Sequence, residues 1–100
     1  MRIRITVDKI VGSCPVFREG DQIVVDGADL VLEETDAYCV WAAMSFTPYL
    51  IAARKQVPAD ELGLGSDSGP YFVQCLDPGP PTTSGGTVTF RIEPDTDTSI

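Results

Sequence analysis

Residues Arg2 to Val7 read Arg-Ile-Arg-Ile-Thr-Val, polar and apolar in strict alternation, as expected of a strand with one face on a core. The pattern predicts a first strand over about Arg2 to Ile10, with Ile3, Ile5 and Val7 on its inner face. Gly12-Ser13-Cys14-Pro15 breaks it, because glycine and proline punctuate regular structure. Glu19-Gly20-Asp21 reads as a second turn, leading into a short strand Gln22-Ile23-Val24-Val25 that Asp26-Gly27 closes. Pro70 to Cys75 reads as a third strand, with Pro70 at its first position, and Thr87 to Ile92 as a fourth, with Val88, Phe90 and Ile92 inward. Pro58 to Gly69 and Asp77 to Gly86 are rich in glycine, serine or proline and read as loops.

Between the second and third strands the period changes. Ala37 to Ala53 is a run of 17 uncharged residues ahead of Arg54 and Lys55. Thr35-Asp36 offers an N-cap, Glu33 and Glu34 suit the positive end of a helix dipole, and the two cations suit its other end. These signals predict helix over about Ala37 to Lys55. Pro48 within it removes a backbone donor, and Thr47 before it is biased from helical angles, so the helix kinks or divides there. The expected fold is α+β: a mostly antiparallel sheet of about four strands, with one kinked or two short helices on one face. It forms one domain over residues 1–93, followed by a disordered acidic tail over 94–100.

The apolar run has no polar stripe, unlike a surface helix, which carries apolar residues along one face only. That excess predicts cover by a second chain: a homodimer, or a larger protein partner, joined through this helix. Its length is marginal for a membrane span, and it contains Ser45, Thr47 and Pro48, so no membrane association is expected. The first residues alternate and lack the apolar core of a secretory signal, which points to the cytoplasm. A formal charge of −8, from 7 basic and 15 acidic residues, opposes binding to nucleic acid phosphates.

The chain contains no histidine, which removes Ser-His-Asp and Cys-His nucleophile pairs, histidine bases and histidine metal ligands. What remains is three cysteines, Cys14, Cys39 and Cys75. An odd count without a Cys-x-x-Cys pair does not read as a disulfide framework. Each is predicted at the edge of an element: in the turn after the first strand, at the start of the helix, and at the end of the third strand. Edges on one side of a sheet can converge, and three thiolates could then hold zinc or an iron–sulfur cluster, with a fourth position left for water or substrate. The competing reading is three separate small side chains in the core, where free cysteine is common. Glu19, Asp21 and Asp77 fall in turn sequences and read as solvated turn residues. Tyr38, Trp41, Phe46 and Tyr49 on the helix, with Tyr71 and Phe72, read as core aromatics.

Gly12-Ser13-Cys14-Pro15, then Gly20-Asp21, a cysteine near a helix start, Pro48-Tyr49, and Cys75-Leu76-Asp77-Pro78 before a final Val-x-Phe strand form a series across most of the chain. The series resembles a family of short prokaryotic single-domain proteins of unassigned function. Their motifs are Gly-x-Cys-Pro, Gly-Asp, a helical Cys-Pro, a Tyr-Pro-Tyr-like helix interruption and Cys-Pro-Asp-Pro. Val40 and Leu76 stand where the family pattern has proline, and the stretch from Gly79 to Gly86 is longer than the pattern implies. The resemblance implies a shared thiol or metal site at Cys14, Cys39 and Cys75. The functional expectation is a small accessory or binding protein with that site. Two alternatives stand beside it: a small enzyme with Cys39 as activated nucleophile and Asp77 or Glu19 as base, and an interaction module with no site and no cofactor.

Overall fold

The computed structural model describes residues 1–95. Five strands, β1 (Arg2–Val11), β2 (Gln22–Asp26), β3 (Asp29–Leu30), β4 (Tyr71–Gln74) and β5 (Thr87–Pro94), form one sheet in the order β3-β2-β1-β5-β4. Every pairing is antiparallel. The helical segments are α1 (Val40–Phe46), α2 (Leu50–Arg54) and α3 (Ala59–Leu62). The α+β class holds, with one strand more than the sequence pattern suggests: β3 is only two residues long, too short to show a period.

The alternation of β1 carries straight into the core. Ile3, Ile5 and Val7 are buried, as are Val88, Phe90 and Ile92 of β5, with Ile5 opposite Ile92, Val7 opposite Phe90 and Ile10 opposite Val88. The β1–β5 register shifts between Val7 and Lys9, a bulge that moves the inward phase to Ile10. Over this face lie Ala42, Ala43, Phe46, Ala53 and Ala59 from the helical layer, with Phe17 from the loop after β1. Phe90 anchors the packing. It takes Phe46 edge-on at 5.3 Å and Phe17 edge-on at 5.4 Å, the geometry that aromatic quadrupoles favour.

The helical run divides at Pro48, which sits in a 3-10 turn over Thr47–Tyr49 between α1 and α2. It begins later than its sequence signals indicate, because the expected cap is used elsewhere. The Thr35 hydroxyl accepts the Val24 N–H at 3.2 Å and donates to the Val31 carbonyl at 2.7 Å. The Asp36 carboxylate accepts the Gln22 N–H at 2.9 Å. Both side chains thus fasten residues 31–36 along β2, and Cys39, in extended conformation, becomes the N-cap of α1. The segment 58–69, a loop by composition, contains α3, closed by Gly63 in the left-handed conformation.

At the other end the expected tail begins too early. β5 continues to Pro94, and Asp95 is buried in ion pairs with Arg2 and Arg4 of β1. The remainder of that tail, 96–100, lies outside the described residues. Among the described residues, no helix is long and apolar enough to cross a membrane.

Candidate functional site

The sheet order brings the three cysteine-bearing segments to one end. Val11 at the end of β1 pairs with Thr87 at the start of β5, so the turn holding Cys14 adjoins the loop that precedes β5. β4 runs against β5 on its other side, and the Cys75 N–H just beyond β4 bonds the Val88 carbonyl at 2.9 Å. The two loops touch at their glycines. A Cβ on Gly86 would stand 2.8–2.9 Å from the Ser13 backbone, and one on Gly12 would stand 3.2 Å from the Gly86 Cα. Only residues without side chains allow that approach. Cys39 arrives from the helical layer, one turn before Ala42 and Ala43, which pack on the core.

Cys14, Cys39 and Cys75 line one cavity of about 410 Å³. All three are free thiols and half-buried. Phe17, Ala42 and Val88 form its inner wall, and the exposed side chains of Val16, Trp41 and Leu76 stand at its rim. Two sulfurs receive backbone donors. Cys14 Sγ accepts the N–H groups of Val16 and Phe17, both at 3.4 Å. Cys75 Sγ accepts the Val88 N–H at 3.3 Å, and its thiol proton has the Gly86 carbonyl within reach at 3.7 Å.

The nearby carboxylates serve the loops. Asp77 Oδ1 accepts the Gly79 N–H at 2.9 Å and the Thr83 hydroxyl, while the Asp77 carbonyl accepts the Thr87 hydroxyl at 3.0 Å. The Thr83 hydroxyl and then the Gly79 N–H hold the Asp77 carboxyl below its ordinary range. Glu19 accepts the Ile10 N–H at 2.9 Å, and Asp21 accepts the Arg18 N–H at 2.9 Å. These acids are turn locks, in keeping with their sequence context, and neither Glu19 nor Asp21 lines the cavity.

Of the aromatics, Phe46 and Tyr71 are core residues, but Trp41 is 72% exposed. Reading it as core fails because α1 turns Ala42, Ala43 and Phe46 inward and Val40, Trp41 and Met44 outward, and Tyr38 and Phe72 are exposed as well. Sequence reasoning also missed the glycine pair and Phe17. The doublet Gly85-Gly86 was a visible signal, since adjacent glycines mark close backbone approach as readily as a flexible loop. Among the described residues, no three His, Cys, Asp or Glu side chains are grouped so as to hold a metal ion.

No protein-family model, curated protein or solved structure matches the chain.

Proposed function

We propose that this protein is a small accessory binding protein whose working site is the three-thiol cavity, and that its ligand is metal-based, zinc or an iron–sulfur cluster. One observation carries the reading: cysteines from three remote segments line the same 410 Å³ space. Three unrelated core cysteines would have no reason to do so. Soft thiolate donors select zinc and iron–sulfur centres over hard cations. A reducing compartment such as the cytoplasm would keep these thiols free. The exposed apolar side chains beside the cavity, Val40, Trp41, Met44 and Leu76, supply a face for a second copy or a larger partner.

The test is elemental analysis with an absorption spectrum on protein purified without air, for the wild type and for Cys14→Ser, Cys39→Ser and Cys75→Ser. Bound metal in the wild type, lost in each variant while the far-UV circular dichroism is unchanged, supports the reading. A wild type that stays metal-free after incubation with zinc and after iron–sulfide reconstitution defeats it. Sedimentation velocity tests the partner face: a monomer at all concentrations removes the homodimer.

A second reading has its own support in the apolar walls and in the lack of a grouped ion site among the described residues. The cavity would then take a small apolar molecule, the thiols being part of its wall. Native mass spectrometry showing a retained organic mass and no metal would favour it.

A further inference from the structure

We infer that the open edge of β4 is a docking site for a segment of another protein: an extended apolar peptide with basic residues at its ends, added to the sheet as a further strand. β4 stands at one edge in the order β3-β2-β1-β5-β4. In an antiparallel pair, the backbone groups of successive residues turn alternately toward the partner strand and away from it. The Cys75 N–H turns toward β5 and bonds the Val88 carbonyl at 2.9 Å, whereas the Phe72 N–H turns away and bonds the Leu64 carbonyl at 2.7 Å. Gln74, two residues beyond Phe72, therefore also turns its N–H and carbonyl outward, and no backbone carbonyl meets that N–H among the described residues. Leu64 takes the place of an incoming strand at Phe72, and past it the edge stands open. Exposed edges are templates for pairing, which chains blunt with charge or cover. The opposite edge, β3, is two residues long and carries Asp29. β4 reads Tyr-Phe-Val-Gln, without a charge.

The space beside that edge suits a strand with apolar side chains. A groove of about 510 Å³ lies there, with Met44, Pro48 and Tyr49 on its helical side and Phe72, Gln74 and Leu76 on its strand side. No charged side chain lines it among the described residues. Side chains of an added strand alternate between the two faces of the sheet, so one set packs on Met44, Pro48 and Tyr49 and the other lies beside Phe72 and Gln74. Charge selects the partner. The exposed Asp60 and Glu61 of α3 come shortly before Leu64, and Asp77 directly follows Leu76. Arg91, opposite Phe72, is engaged by Asp8 and Glu93. A second copy of the chain would bring a further −8 to this surface, whereas lysine or arginine at the ends of a foreign peptide is attracted to it. The groove shares Leu76 with the three-thiol cavity but needs none of the cysteines.

The experiment titrates the isotope-labelled full chain, followed by NMR, with a short synthetic peptide of alternating valine and threonine that carries lysines at both ends, and with the same peptide ending in glutamates. The expected result is slowed hydrogen exchange at the Gln74 amide and shifted amide signals at Met44 and Leu64, with affinity about tenfold higher for the lysine-ended peptide at low salt. Met44→Lys, a change at an exposed position, should weaken that peptide about tenfold while the circular dichroism stays unchanged. No change at Gln74 with millimolar peptide overturns the inference. Equal affinity for the two peptides also overturns it, since charge would then not select the partner. So does a Gln74 amide that gains protection with protein concentration alone, because a second copy then occupies the edge. None of these readouts depends on metal or on the thiols, so this inference and the three-thiol reading fail separately.

Discussion

At the scale of single residues, the site depends on two contacts that hold its loops in place. Asp77 ties the turn after β4 to Thr83 and Gly79. Because these donors lower its pKa in the folded chain, its stabilising contribution is complete above the ordinary carboxyl value near 4 and fades as the pH falls through the lowered one. Thermal melts between pH 6 and 2.5 should show the wild type losing stability in acid, and Asp77→Asn should flatten that loss. Tyr71 acts at the opposite extreme. Burial raises its pKa, and its hydroxyl donates to the Val57 carbonyl at 2.5 Å, so its contribution is intact below pH 10 and disappears above it. Gly86 has no room for a methyl group against Ser13. Gly86→Ala should lower the urea-unfolding free energy by about 1–3 kcal/mol, the usual cost of overpacking, and should expose Cys14 and Cys75 to faster alkylation.

At the scale of elements, local signals were reliable wherever a residue had one use. The side chains of Ile3, Ile5 and Val7, or of Phe90 and Ile92, serve burial, and their period predicted β1 and β5 correctly. Pro48 likewise divided the helical run as its ring requires. Thr35 and Asp36 misled because their oxygens suit a helix cap and a cross-link to β2 equally well, and the tertiary partner won. Thr35→Val tests that explanation. It leaves the Val24 N–H without its acceptor, and denaturant unfolding should show a loss of about 1–3 kcal/mol. If Thr35 were instead a helix cap, the same variant would reduce the helical circular dichroism signal. The placement of each cysteine at an element's edge was also legible. Their lining of one cavity was not, since it depends on β5 lying between β1 and β4, an order that no local pattern encodes.

At the scale of the whole molecule, an acidic chain holds its central strands together with buried charge. Asp95 pairs with Arg2 and Arg4 across the end of β1 and β5, with its side chain 3% exposed and the arginines about a quarter exposed. Asp95→Asn removes the buried anion from both ion pairs while Arg2 keeps Glu34, and chemical denaturation should show a cost of about 1–3 kcal/mol, less than for a fully dry pair. The central pair has a further consequence. β1 and β5 are remote in sequence, yet the turn after one and the loop before the other touch at Ser13 and Gly86. A ribosome-bound fragment that stops before Thr87 has all three sulfurs but no strand to bring the outer two together. The cavity thus closes only in chains in which β5 has paired between β1 and β4.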